Sequence, residues 1–187
     1  MLRLAWHVDA SRLMQRRPAD DDRVSWRVCV HEIGHALAVR SAGHKVMSAH
    51  AFPGDEGTCR WSPEAPLDFR DALMITCAGV AAERVALGVG EFDVAEKLTA
   101  RSWIESIRGI SRGTLKGALD ELPEFIHATT KATRLLRGQR GLLEQIARQL
   151  GRNESMTGDE IEAIATSRSP KVLRERLDIE LNAKWYP

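Results

Sequence analysis

The sequence predicts a mainly α-helical domain with a small β-sheet or hairpin beside its first long helix. Three observations predict it. Residues 23–41 are apolar nearly all round, at Val28, Cys29, Val30, Ile33, Leu37 and Val39, as in a buried helix. Residues 68–87, "DFRDALMITCAGVAAERVAL", form a second such run, whose Ala78, Gly79, Ala81 and Ala82 let a neighbouring helix approach closely. Between the two, "HKVMSAHAFPGDEGTCRWSPE" (44–64) breaks into short extended runs around Pro53, Gly54 and Gly57. That is the pattern of two or three short strands joined by tight turns.

The chain of 187 residues is long enough for one well-filled core. A hydrophobic content of 43% and a charged content of 28% exclude wholesale disorder. The formal net charge of +1 gives no electrostatic reason to expect nucleic acid or an anionic membrane as partner. Cys29, Cys59 and Cys77 lack metal-knuckle spacing; odd in number and sparse, they fit a reducing cytoplasm. "MLRLAWHVDASRLMQRR" lacks the apolar segment of a signal peptide, and no stretch approaches the ~18 apolar residues of a membrane span. The expectation is a soluble, cytoplasmic protein.

Residues 1–23 form an N-terminal segment and linker, ending at Pro18 and the aspartates Asp20, Asp21 and Asp22, the last of them placed to cap the first helix. That helix stops at Gly43, and the second at Gly88 and Gly90. "EFDVAEKLTARSWIESI" (91–107) is an amphipathic helix with Asp93 in its first turn. Further helices are expected over 114–121 and, after Pro123, over 123–151 with a kink near Gly138 or Gly141. A short helix follows at "MTGDEIEAI", where Thr157 and Glu160 have capping-box spacing. The domain thus covers 24–167, with 168–187 a charged, helical C-terminal tail.

The chemistry lies in "VCVHEIGHALAV" (28–39). His31 and His35 stand at i and i+4, so on a helix they share a face about 6 Å apart along the axis. Both imidazoles can then reach one zinc ion at roughly 2 Å each. Glu32 points to the adjoining sector, where it can hold a metal-bound water as general base. Three polar groups in an apolar helix are costly to bury without a partner, and a divalent cation is such a partner. A catalytic zinc takes three protein ligands, so one more must come from another element. His44, His50 and His127 qualify by type; the first two follow in the strand region and read as ordinary strand or surface residues. Glu83 and Asp93 are the carboxylate candidates, and spacing alone does not separate them.

"HEIGHALAV", "AGVAAERVALG" (78–88), "GEFDVAEKLTARSWIESI" (90–107) and "LLRGQRGLLEQIARQLGRNESMTGDEIEAI" (135–164) resemble, in order, the peptidase domain of FtsH-type zinc metalloproteases. The likeness spans about residues 24–166. It implies a helical, zincin-like metallopeptidase fold and a zinc site of two histidines and one aspartate, here His31, His35 and Asp93. It makes Glu83 a buried glutamate near the site but not a ligand, hydrogen-bonded locally or paired with Arg84; Glu83 as third ligand, in a glutamate-type zincin, is the alternative. "GTCRWSPE" (57–64) resembles the family's edge strand beside the active site, which implies that Gly57, Thr58 and Cys59 bind an extended peptide by strand addition. A plain hairpin is the other reading of those residues.

The expected activity is therefore zinc-dependent hydrolysis of peptide bonds in flexible or unfolded polypeptides, with Glu32 as proton acceptor. The departures from the family bound it. No GxxxxGK[ST] motif occurs in these residues, an ATP-driven module ahead of the domain is not expected, and "GEF" stands where "G-x-S-N" usually leads into the aspartate. ATP dependence is not expected to carry over. A separate unfoldase partner, homo-oligomerisation and a non-catalytic peptidase-like binding module stay open.

Overall fold

The computed structural model describes residues 24–167. The expectations for 1–23, including the Asp22 cap, and for the tail 168–187 lie outside the described residues. The first helix, α1 (Trp26–Ser41), has residues 28–30, 32–34 and 36–39 buried, which is why its sequence is apolar on every side. It starts at Trp26 rather than Arg23 because Val24 is extended and bridges to Pro53.

Helix α2 (Phe69–Leu87) packs along α1 and is buried at every residue from Ala72 to Glu83. The contact is close because Gly34 of α1 has no side chain. A Cβ there would lie 2.5 Å from Cβ of Ala82 and 2.6 Å from the carbonyl oxygen of Ala78. Asp68 caps α2, its carboxylate accepting from the backbone N–H of Arg70 at 2.7 Å.

Strands β1 (Lys45–Phe52) and β2 (Glu56–Ser62) make the expected antiparallel hairpin, with Ala49 opposite Cys59 and Ala51 opposite Gly57. A third strand, β3 (Ser155–Thr157), comes from far along the chain and completes a sheet in the order β2-β1-β3. The sheet lies against α1, and β2 forms one of its edges. Thr157 ends β3 and also receives the expected capping box, with its backbone N–H donating to Oε2 of Glu160 at 2.7 Å and its Oγ1 accepting from the N–H of Glu160 at 3.3 Å.

The rest is helical: α3 (Val94–Arg108), α4 (Pro123–Gly138), α5 (Arg140–Asn153) and α6 (Gly158–Ser167). Pro123 opens α4 where a missing N–H does no harm, and the expected kink becomes a full break at Gln139, with φ −114°. The helix expected over 114–121 does not form; only Leu119–Glu121 make a single 3-10 turn. Gly113 and Gly117 adopt φ of 78° and 95° there, and side chains of α3 take the backbone bonds a helix would have made. Glu105 accepts from the N–H of Leu115 at 3.0 Å, and Arg101 donates to the carbonyls of Leu115 and Gly117 at 3.2 and 2.6 Å. No helix among the described residues is long and apolar enough to cross a membrane.

Candidate metal centre

His31 and His35 sit on the face of α1 that meets α2 and the start of α3. Their Nε2 atoms face each other at 3.1 Å. Nδ1 of His31 is 2.7 Å from Oε1 of Glu83, and Nδ1 of His35 is 2.7 Å from the carbonyl oxygen of Ile75. A carbonyl only accepts, and so does an ionised carboxylate, so both Nδ1 atoms carry hydrogen and donate. In neutral imidazoles the two Nε2 atoms would then be bare lone pairs pointed at each other. Something positive must lie between them, either a proton or a metal ion.

A third donor completes the group. Oε1 of Glu96, in the first turn of α3, lies 3.3 Å from Nε2 of His31 and is buried without a hydrogen-bond partner. The ligand atoms of His31, His35 and Glu96 all fall within 4.8 Å of one another. Ligands held at ~2.0–2.1 Å around a tetrahedral ion stand about 3.3 Å apart, a spacing that the His31–His35 and His31–Glu96 pairs match at 3.1 and 3.3 Å. Neutral nitrogen and carboxylate oxygen are also what zinc accepts.

The electrostatics agree. Burial of His31 works against a charge on its ring, but its hydrogen bond to Glu83 and the adjacent Glu96 carboxylate overcome that and raise its pKa to about 10. The surrounding carboxylates thus draw a positive charge into the gap whether it is a proton or a cation. His35 goes the other way, its pKa pushed down to about 4 by burial and by the neighbouring His31 charge. Burial raises the Glu32 carboxyl to about 7, against the pull of His31 and helped by the Glu96 charge, which poises it to exchange a proton near neutrality.

Two glycines make room for these side chains. A Cβ on Gly79 of α2 would overlap the His31 ring. A Cβ on Gly57 of β2 would stand 2.7 Å from Cγ and from Oε1 of Glu32, so the edge strand passes directly over the glutamate. Cys59 follows two residues along the same strand, partly buried. Burial drives its thiol pKa well up, and those of Cys29 and Cys77 up to about 11 and about 12, so none of the three is a ready thiolate nucleophile.

Asp93 is not in the ligand group. It is the N-cap of α3, with Oδ1 accepting from the N–H of Glu96 at 2.7 Å. Glu83 lies beside the group, bonded to Nδ1 of His31, and its cationic partner is Arg27, whose Nε donates to Oε2 at 2.7 Å. Arg84 instead donates to the carbonyl of Gly90 and lies over the Phe92 ring. His44 is buried and stacked on Trp61 with centroids 5.4 Å apart, His50 is hydrogen-bonded to Ser48 at 3.0 Å, and His127 is exposed. Sequence reasoning missed Glu96 and Arg27. The D-x-x-E spacing of a capping box could have drawn attention to Glu96, and the i, i+4 relation of Arg27 to His31 to the arginine.

No protein-family model matches the chain, and no curated protein matches it at a significant level.

Proposed function

We propose that this domain is a zinc-dependent endopeptidase of zincin type, hydrolysing peptide bonds in flexible or unfolded polypeptides. One observation carries the reading: two histidine Nε2 atoms and an unpartnered Glu96 oxygen converge on one point beside a buried glutamate poised near neutrality. The order of motifs shared with FtsH-type peptidase domains supports it as well, with Glu96 taking the ligand role that the resemblance assigns to Asp93. Both carboxylates belong to one capping pair, so the third ligand comes from the same turn in either case.

His31, His35 and Glu96 would hold the ion, which when bound supplies Lewis acidity for a peptide carbonyl and lowers the pKa of a water toward about 7. Glu32 takes the proton of the attacking water at its carboxylate and returns it to the leaving amine. Glu83 and the Ile75 carbonyl fix the two rings by their Nδ1–H groups. Among the described residues β2 is an edge strand, and at Gly57, Thr58 and Cys59 it would offer backbone N–H and C=O groups to an extended substrate alongside Glu32.

The test is a metal assay and a cleavage assay on the same preparations. Purified chain should carry about one zinc per molecule and cleave casein in a chelator-sensitive way. Glu32→Gln should keep the zinc and lose at least about a hundredfold in cleavage rate. A variant that cleaves like the parent would refute the role of Glu32, and tight peptide binding with no turnover by the zinc-loaded parent would make the domain a binding module.

A further inference from the structure

We infer that Arg27 is a positioning residue of the metal centre, acting on His31 through Glu83. The inference rests on the metal-site reading above and extends it to a residue that touches neither ion nor substrate. Arg27 stands one turn before His31 on α1, and its Nε donates to Oε2 of Glu83 at 2.7 Å. The other oxygen of the same carboxylate accepts from Nδ1 of His31 at 2.7 Å. Glu83 is 2% exposed and has these two side-chain partners among the described residues.

A carboxylate gripped at one oxygen only can turn about its last bond, and with it the imidazole that hangs from the other. Gripped at both oxygens it has one orientation, so Nδ1–H of His31 has one acceptor position and Nε2 one direction, toward Nε2 of His35 and Glu96. The ring lies directly against Gly79 of α2, in space that a side chain there would fill. The Arg27 side chain is half-exposed while Glu83 is buried, so removing the guanidinium leaves a buried carboxylate with His31 as its remaining side-chain partner among the described residues. The contact can therefore serve both stability and ligand orientation, and the two are read separately by a melting midpoint and a metal affinity. The guanidinium is held charged first by its hydrogen bond to Glu83 and the Glu83 charge, with Asp55 of the hairpin and Glu91 of the loop before α3 adding the smallest contributions.

The experiment measures zinc affinity of the full chain by competition with a chromophoric chelator, for the parent, R27M, R27K, E83Q and the R27M/E83Q double variant. R27M should bind zinc about 10–100-fold more weakly, and R27K should recover part of the loss because a charged donor still reaches Glu83. The double variant should be no weaker than the weaker single one, since both changes cut the same link. Ring 15N shifts of zinc-loaded protein should report a single His31 tautomer protonated at Nδ1 in the parent and exchange broadening in R27M. The thermal midpoint of R27M should fall by no more than about 2–4 °C, which separates misorientation from unfolding. Parent-like affinity in R27M, or losses that add in the double variant, overturns the role of Arg27. A parent chain that takes up no zinc overturns the metal-site reading beneath it.

Discussion

Asp93 and Glu96 hold each other in place. The N–H of Asp93 donates to Oε2 of Glu96 at 3.0 Å, while Oδ1 of Asp93 accepts from the N–H of Glu96 at 2.7 Å. The capping box therefore fixes one Glu96 oxygen to the backbone and leaves Oε1 facing His31. The carboxylate expected as a ligand from the resemblance is, in this geometry, the one that aims the carboxylate standing in the site.

This pairing makes the two residues separable by mutation. Glu96→Gln should lower zinc affinity by at least about a hundredfold, because it removes the anionic donor. Asp93→Asn should lower it less, by about tenfold or under, because asparagine still caps α3. Asp93→Ala should in addition cost about 1 kcal/mol of stability from the lost cap. Chelator competition on the three variants checks the order, and a reversed order would hand the ligand role to Asp93.

Zinc uptake should depend on pH through His31. Metal binding needs the bare Nε2 lone pair, whereas the metal-free ring holds its proton up to about pH 10. Each proton displaced makes affinity rise about tenfold per pH unit below that value and level off above it. The sign is fixed by competition: lower pH favours the proton, so the ion leaves as pH falls. Affinity measured at several pH values from 6 to 9 should give a slope near one, and a flat profile would contradict the raised His31.

Thiol reagents should leave cleavage intact. Burial holds the thiols of Cys29, Cys59 and Cys77 protonated at neutral pH, so iodoacetamide finds little thiolate to attack. Brief treatment at pH 7 should leave most of the peptidase activity, while a chelator removes it. Loss of activity to the alkylating agent with resistance to the chelator would point to cysteine chemistry instead.

Much of this architecture was legible because the decisive signals were local. All-round apolarity along 28–39 and 72–83 marked the two buried helices, and Pro53-Gly54 marked the hairpin. Non-local competition decided the rest. The segment 114–121 has helix-forming residues, yet Glu105 and Arg101 reach across from α3 and take its backbone groups. Strand β3 is three residues long and exists only because β1 offers it an edge. In the site, the i, i+4 histidines and the adjoining glutamate were plain from spacing. The third donor lies three residues along the same capping box from the expected one, because Asp93 and Glu96 share one cap and only side-chain packing chooses which oxygen enters the gap.

Two glycine substitutions should separate the fold from the site. Gly34→Ala and Gly79→Ala each add one methyl group between α1 and α2, but in different surroundings. At Gly34 the new carbon meets backbone and the Cβ of Ala82, neither of which can yield without moving a helix. The expected result is a destabilisation of about 1–3 kcal/mol or more, read by chemical denaturation. At Gly79 the new carbon meets the His31 ring, which can swing aside on its own χ angles. That motion relieves the overlap but breaks the 2.7 Å bond to Glu83 and turns Nε2 away from His35. Gly79→Ala should therefore lose zinc affinity by about 10–100-fold, out of proportion to its loss of stability. Gly34→Ala should keep its affinity in whatever fraction stays folded. Equal effects of the two changes on zinc would mean that the His31 ring is not held where the binding of an ion requires it.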